Sequence, residues 1–179
     1  MKTSIIALYG NARVGKDTFF RALARENASF VRLAFADALK KDLAEFIQKQ
    51  WGVDVFTMSG PIKEHIRPLL IAYGMIRREE SENYWINRVI SEVYSYRNIG
   101  SVVCANDCRF PNECDYLRKE FGNEFKLVGL RRDGAPQGTE EERKHEEEMK
   151  KRVDIWVDLP NVEYESELAP IARELINKL

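Results

Sequence analysis

A glycine-bounded loop between an apolar run and a helical pattern constrains this chain more than any other feature. The apolar run ends at Tyr9, and the loop reads Gly10-Asn11-Ala12-Arg13-Val14-Gly15-Lys16-Asp17-Thr18. Glycines let the backbone turn tightly, so that successive N–H groups point at phosphate oxygens, and the following helix adds partial positive charge at its N-terminus. A lysine at the end of such a loop bridges the β- and γ-phosphates. This spacing, between a strand and a helix, predicts a P-loop in which Gly10 to Thr18 bind a nucleoside triphosphate.

The residue after the lysine departs from the usual P-loop pattern. A serine or threonine normally stands there and binds magnesium, whereas this chain has Asp17 followed by Thr18. The sequence leaves open whether Asp17 or Thr18 contacts the metal. Asp107 follows a later apolar run, which places it like the acid that holds magnesium at the end of a neighbouring strand.

Short apolar runs recur along the chain and alternate with helical patterns. The runs are Ser4 to Tyr9, Phe30 to Phe35, Ser101 to Ala105, Phe125 to Leu130 and Val153 to Leu159. Near-continuous apolar runs of this length are typical of strands that are buried on both faces. The alternation predicts an α/β fold of the P-loop, three-layer αβα type: a five-stranded, mostly parallel sheet with helices on both faces and a mobile lid.

Helix boundaries follow from the residues that commonly begin or end helices. Asp37 is expected to cap a helix that ends at Gly52, and a later helix is expected to begin at Ser81. Pro111 suits the first position of a helix that stops at Gly122.

Two segments interrupt the alternation of strands and helices. Residues 53 to 98 contain no convincing strand but carry several cations and aromatic rings that suit an anionic substrate: Lys63, Arg67, Arg77, Arg78, Tyr84, Trp85 and Arg88. For Trp85, core packing is the alternative to stacking on a base. Residues 131 to 152 are dominated by charge, with Met149 almost the only apolar residue and a capping pattern at Thr139 and Glu142. This segment is either a solvated surface helix or a lid that closes over a ligand.

Composition narrows the classes of protein that fit. Lys and Arg number 28 and Asp and Glu number 29, so the net charge is −1, unlike the strongly basic chains typical of nucleic-acid binders. No apolar run is long enough to span a bilayer or to serve as a signal peptide. Three cysteines (Cys104, Cys108, Cys114) without such a signal favour a reducing compartment, and two isolated histidines (His65, His145) do not favour a zinc site.

Several segments together resemble the phage-type deoxynucleoside monophosphate kinases, a branch of the P-loop nucleoside monophosphate kinase-like group. The most specific are the Lys16-Asp17-Thr18 ending of the loop and the piece Asp107-Cys108-Arg109-Phe110-Pro111-Asn112-Glu113. The other matching pieces are Leu33 to Lys40, Arg67 to Gly74, Tyr84-Trp85, Leu130-Arg131-Arg132, His145 to Glu148 and Val157 to Asn161. The match therefore extends over nearly the whole chain.

This resemblance implies transfer of the γ-phosphoryl group of ATP to a deoxynucleoside monophosphate, with Mg²⁺ as the metal. Lys16, Asp17, Arg131 and Arg132 would then be catalytic, and Asp17, Thr18 and Asp107 would serve the metal. The residues implied for the acceptor are Asp37, Lys40, Arg67, Trp85, Arg88, Asp107, Arg109 and Glu113. For Arg109 and Glu113, the alternative is a local salt bridge with each other that closes their own turn. The chain would be one kinase domain over residues 1–179, with an acceptor-binding region at about 53–98 and a lid at about 131–152.

The sequence also predicts the binding partners and the cellular location of the protein. The resemblance implies the nucleoside monophosphate as partner and is compatible with a homodimer, while the near-zero net charge and the short apolar runs predict neither a nucleic-acid nor a membrane partner. The location is the cytoplasm, which for a phage-encoded protein is that of the host.

Other functions fit parts of the sequence. A P-loop kinase of another phosphorylated metabolite or coenzyme precursor shares the loop. A nucleotide-dependent switch, motor or interaction protein without acceptor turnover is the second alternative. A switch GTPase would carry an Asn/Thr-Lys-x-Asp string, which is absent, and a motor would usually carry a second acid after Asp107, where this chain has Cys108.

Overall fold

The central sheet of the protein is entirely parallel. The computed structural model describes residues 3–136 and 140–179. Five strands lie among them: β1 (Ile5–Tyr9), β2 (Phe30–Leu33), β3 (Val102–Ala105), β4 (Phe125–Arg132) and β5 (Ile155–Leu159). Their spatial order is β2-β3-β1-β4-β5, and every neighbouring pair is parallel. Because β3 and β4 both border β1, the residues after these three strands meet at one edge of the sheet.

Helices cover both faces of this sheet. The α-helices of the described residues are α1 (Lys16–Glu26), α2 (Phe35–Trp51), α3 (Gly60–Glu80), α4 (Tyr84–Asn98), α5 (Pro111–Phe121), α6 (Glu140–Arg152) and α7 (Ala169–Lys178). Leu8 of β1 packs with Phe19 of α1 and Leu175 of α7 in the main core. A right-handed connection puts α5, which joins β3 to β4, on the opposite face from α1. The three-layer αβα fold predicted from the sequence is therefore confirmed.

The chain divides into two compact units. The first contains the residues up to Leu33 together with Glu92–Leu179, and it holds the whole sheet. The second is Ala34–Ser91, which is formed by α2, α3 and the first part of α4. Its small core is built around Ile47, Val55 and Ile66.

The strands were predicted more closely than the helix starts. The predicted cap at Asp37 is wrong, because α2 begins at Phe35 after Ala34 and Asp37 lies in its first turn. Ser81 does not begin α4; it ends α3, and α4 begins at Tyr84. The helix starting at Pro111 and the ends at Gly52 and Gly122 are confirmed. The predicted capping pattern at Thr139 and Glu142 lies outside the described residues and side chains.

Candidate functional site

The loop between β1 and α1 has the backbone conformation that its glycines allow. Gly10 has a φ of +149° and Gly15 a φ of +111°, which are values that residues with a Cβ rarely adopt. A Cβ at Gly10 would lie 2.8 Å from the carbonyl oxygen of Leu130 on the neighbouring strand, so the loop also passes too close to β4 for a side chain there. Arg13 takes a left-handed φ of +64° at the tip of the turn. The sequence pattern thus corresponds to a tightly folded loop at the start of a helix.

The side chain of Lys16 lies across this loop. Its Nζ donates to the carbonyl oxygen of Gly10 at 2.5 Å and to that of Asn11 at 3.1 Å. Lys16 is also the first residue of α1, so the ammonium group and the positive end of the helix lie close together. This combination favours a polyphosphate anion.

Asp17, the unusual residue of the loop, is joined to the end of β3. The Nδ2 of Asn106 donates to the Oδ1 of Asp17 at 2.5 Å, across 89 positions of sequence. Asn106 is only 3% exposed, whereas Asp17 is exposed. Asn106 is not among the residues predicted for the site; the signal for it in the sequence is its position directly before Asp107, at the end of a buried strand.

Glu113 closes the turn between β3 and α5. The Oε2 of Glu113 accepts hydrogen bonds from the backbone N–H groups of Arg109, at 2.8 Å, and Phe110, at 3.1 Å. Glu113 is 3% exposed, so its carboxylate fixes the backbone at the start of α5. Asp107 lies in this turn and is half-buried, while Arg109 is exposed. Glu113 therefore closes the turn through backbone hydrogen bonds, while a salt bridge with Arg109 and contact with a substrate stay predictions.

Arg131 and Arg132 end β4 and point to different faces of the sheet. Arg131 forms a bidentate pair with Asp158, at 2.9 and 3.2 Å, and its guanidinium lies 4.8 Å from the ring centroid of Trp156. Arg132 instead donates through Nη2 to the carbonyl oxygen of Arg13 in the glycine loop. The Nε of Arg132 is buried without a hydrogen-bond partner among the described residues. Of the two arginines, Arg132 is the one in contact with the loop.

A cavity of about 350 Å³ opens beside the loop within the first unit. It is lined by Val14, Gly15, Thr18, Arg21, Arg132, Leu159, Pro160, Val162, Glu163, Glu165 and Leu168. The volume lies at the lower end of the range for small-molecule sites. Its wall therefore combines the start of α1 with the segment that follows β5.

Comparison with known proteins shows a likeness of fold but not of sequence. No family model matches the chain, and no curated protein matches it. Among solved structures it is similar to a dephospho-CoA kinase from Campylobacter jejuni, with a TM-score of 0.59 and 12% sequence identity, over 99% of this chain and 97% of that chain. This chain has the fold of a P-loop kinase. The match covers the sheet, the loop region and the segments between them, rather than the loop alone.

In this P-loop kinase fold, the charged segment after β4 continues into a helix that packs on α5. Met149 of α6 is fully buried, although the sequence around it is polar. Arg152 pairs with Asp115 of α5 through two hydrogen bonds of 2.8 Å, and the ring of His145 lies 5.6 Å from that of Phe110. The described part of the predicted lid, residues 131–136 and 140–152, therefore contacts the turn that carries Arg109. Closure of this segment over a ligand stays a prediction.

Five residues predicted for the acceptor lie in the second unit of the kinase fold. Trp85 is 3% exposed and its Nε1–H donates to the carbonyl oxygen of Gly74 at 3.1 Å, so the core packing left open by the sequence is what its indole does. The other four form ion pairs within the unit: Lys40 with Asp37 at 3.5 Å, Arg67 with Glu64 at 3.8 Å, and Arg88 with Asp42 at 2.5 Å. Arg88 remains about half exposed, so its guanidinium can still contact an anion.

The cysteines contribute neither a disulfide nor a reactive thiol. Cys104, Cys108 and Cys114 are free and buried. Burial raises the pKa of the Cys104 and Cys108 thiols far above the ordinary pKa of a cysteine. Both thiols therefore stay protonated and are poor nucleophiles. Within the part of the chain that the structure describes, no cluster of His, Cys, Asp and Glu forms a metal site and no helix is long and apolar enough to cross a membrane.

Proposed function

We propose that this protein is an ATP- and Mg²⁺-dependent kinase of a (deoxy)nucleoside monophosphate, yielding the diphosphate. The observation that carries the proposal is the loop itself: Lys16 and the N-terminus of α1 converge on a tightly folded backbone, and Arg132 bonds to the same backbone. Three sources of positive charge around one loop suit a triphosphate better than any neutral ligand. The cavity beside the loop would take the nucleoside part of ATP.

The residues after Lys16 fit a magnesium ion. The carboxylate of Asp17 and the hydroxyl of Thr18 are the hard oxygen ligands that Mg²⁺ prefers. The Oδ1 of Asn106, whose Nδ2 bonds to Asp17, is buried without a hydrogen-bond partner among the described residues. When bound, the ion would neutralise charge on the β- and γ-phosphates.

Phosphoryl transfer by these residues needs positioning and charge neutralisation rather than a protein nucleophile. A phosphate oxygen of the acceptor forms a bond to the γ-phosphorus, and the bond from that phosphorus to the β–γ bridging oxygen breaks, leaving its electron pair on ADP. Lys16 offsets the charge that develops on the bridging oxygen. Arg131 and Arg132, at the end of β4, are the candidates for contact with the transferring group. Asp107 and Arg109, in the turn after β3, are proposed to contact the acceptor.

A kinase of a coenzyme precursor is the second candidate. The specific observation in its favour is the similarity, over nearly the full length of both chains, to a protein named as a dephospho-CoA kinase. A deoxynucleoside monophosphate acceptor is favoured by the Lys16-Asp17-Thr18 and Asp107 to Glu113 segments, which resemble those of the phage-type kinases. That resemblance is one of sequence, whereas the similarity to the dephospho-CoA kinase is one of fold.

The two candidates are separated by an acceptor panel. ADP release from ATP and Mg²⁺ is measured with each deoxynucleoside monophosphate, each ribonucleoside monophosphate and dephospho-CoA, and the products are identified by mass spectrometry. Conversion of one or more monophosphates to the diphosphate is the expected result. Turnover of dephospho-CoA alone would support the second candidate, and nucleotide binding without acceptor-dependent ADP release would indicate a binding protein.

Lys16→Ala tests whether the loop performs the reaction. Because Lys16 stabilises the transferring charge, we expect turnover to fall about 100-fold or more, with an unchanged circular dichroism spectrum. Turnover near the wild-type value in this variant would contradict the assignment of the loop.

A further inference from the structure

Asn106 is held rigidly at the point where the sheet meets the glycine loop. Its backbone N–H donates to the carbonyl oxygen of Leu33 at 3.1 Å, which continues the pairing of β2 and β3 by one residue. Its side chain is buried and reaches Asp17 at 2.5 Å. An exposed carboxylate in the first turn of α1 is thus oriented by an amide that is itself buried.

The orientation of the amide follows from its partner. An ionised carboxylate only accepts hydrogen bonds, so the NH₂ end of Asn106 must face Asp17 and the Oδ1 must face away. That Oδ1 is buried and has no hydrogen-bond partner among the described residues. Buried acceptors are nearly always satisfied, by protein or by ordered water. An unsatisfied acceptor beside a carboxylate therefore points to a ligand that carries O–H or N–H donors, such as the water molecules of a hydrated cation.

The chemical groups at these two positions are exchanged relative to an ordinary P-loop. Ordinarily a neutral hydroxyl follows the lysine and a carboxylate stands at the end of the neighbouring strand. Here the carboxylate, Asp17, follows the lysine, and the neutral group, Asn106, is the first residue after β3. The carboxylate after the lysine is thus hydrogen-bonded to a neutral group, and the nearest acid after β3, Asp107, stands one residue further along the chain.

We infer that Asn106 is the positioning residue of the magnesium site: the hydrogen bond from its Nδ2 orients the Asp17 carboxylate for the ion. The Asp17–Asn106 pair then takes the role that the sequence suggested for Asp107. This inference rests on the proposed nucleotide site, but not on which acceptor is used.

Manganese binding tests the inference without any turnover. Mn²⁺ is titrated into the protein with ADP, and the free ion is followed by electron paramagnetic resonance. Asn106→Leu keeps the size of the side chain but removes both the donor and the acceptor. We expect it to weaken Mn²⁺ binding about tenfold or more, as loss of a group that supports a metal ligand usually does. ADP affinity measured with a chelator present should stay within about threefold of the wild-type value, because the loop amides and Lys16 are unchanged.

An exchange of the two groups distinguishes positioning from simple packing. The double variant Asp17→Asn/Asn106→Asp restores an amide–carboxylate hydrogen bond with the charge on the strand side, as in an ordinary P-loop. It should recover Mn²⁺ affinity to within about threefold of wild type. Asn27→Leu is the matched control. Asn27 accepts from the backbone N–H of Ser29 at 3.0 Å at the far end of α1, about 16 Å from the loop, so its loss should not change Mn²⁺ binding.

The outcomes separate the inference from the proposed function. Wild-type Mn²⁺ affinity in Asn106→Leu, or a folded exchange variant that binds as weakly as Asn106→Leu, would overturn the role of Asn106 while leaving the nucleotide site intact. If the wild-type protein binds neither ADP nor nucleotide-dependent Mn²⁺, the proposed function itself fails. Thermal melting shows whether each variant folds, and Asn106→Ser replaces Asn106→Leu if the latter does not.

Discussion

Replacing Glu113 tests whether this buried carboxylate is a structural group or a substrate contact. Glu113→Ala removes the acceptor of two backbone N–H groups, at 2.8 and 3.1 Å, in a residue that is 3% exposed. Each hydrogen bond to a charged group contributes about 1.5–3 kcal/mol, and loss of a helix-capping contact costs about 0.5–2 kcal/mol. Because the two bonds share one oxygen, we expect a total loss of about 3 kcal/mol. Glu113→Gln keeps an acceptor oxygen but loses the charge at the start of α5, so it should cost about 1 kcal/mol.

Urea unfolding measures these losses directly. With a slope of about 2 kcal/mol per molar urea, Glu113→Ala should lower the unfolding midpoint by about 1.5 M. Glu174→Ala is the control, since Glu174 is 66% exposed and pairs with Lys178 four residues away at 2.7 Å, a contact worth about 0.5 kcal/mol at most. A loss below about 1 kcal/mol in Glu113→Ala, combined with a tenfold rise in the acceptor KM, would refute the structural role and identify Glu113 as a substrate contact.

Three further predictions concern the loop, the pH dependence of stability and the end of β4. Gly10→Ala should lower the free energy of unfolding by about 2–4 kcal/mol, because φ at Gly10 is +149° and a Cβ would lie 2.8 Å from a backbone oxygen. Thermal denaturation measures this loss, and a value under about 0.5 kcal/mol would contradict the prediction. Hydrogen bonds from Arg97 and Ser4 lower the pKa of Glu124 from 4.5 to about 2. Ionised Glu124 should therefore add about 1 kcal/mol to the free energy of unfolding, after allowance for solvent screening. This contribution is present above pH 4.5 and is lost as the pH falls towards 2. A stability difference between wild type and Glu124→Gln that stays constant from pH 7 to pH 2 would argue against that linkage. Arg131→Ala should lower kcat more than it lowers ATP affinity, and weaker ATP binding with unchanged kcat would exclude a role in the transition state.

The sheet could be predicted from the sequence because its signals have no strong competitor. Runs such as Phe125 to Leu130 are apolar on both faces, which only a buried strand explains at that length, and each observed strand begins and ends within two residues of its prediction. The glycine loop was equally clear, since its glycines are required by backbone angles that the structure shows. Helix starts are harder to predict, because short polar residues such as Asp37 and Ser81 are favoured both at the N-cap and in the turns beside a helix.

The parts of the site that could not be predicted depend on contacts between distant segments. Nothing in the sequence near Asn106 indicates that its amide meets Asp17, since that contact requires β1 and β3 to be neighbours. The burial of Met149 is similar: α6 looks polar all round, and only its packing on α5 turns one side inward. Which arginine at the end of β4 reaches the loop depends on the alternation of side chains between the faces of the sheet, for which the exact register must be known.

The pairing of β1 with β3 would also tie the proposed nucleotide binding to folding. Ala7 lies opposite Ala105, so Asp17 and Asn106 come together only when strands almost 100 residues apart have paired. A chain with separated strands has no such site, and a ligand held there would bind the native state alone. Each tenfold excess of ligand over its dissociation constant would then add about 1.4 kcal/mol to the free energy of unfolding. In a cell rich in nucleotides, the proposed ligand would thus also protect the protein against unfolding and proteolysis.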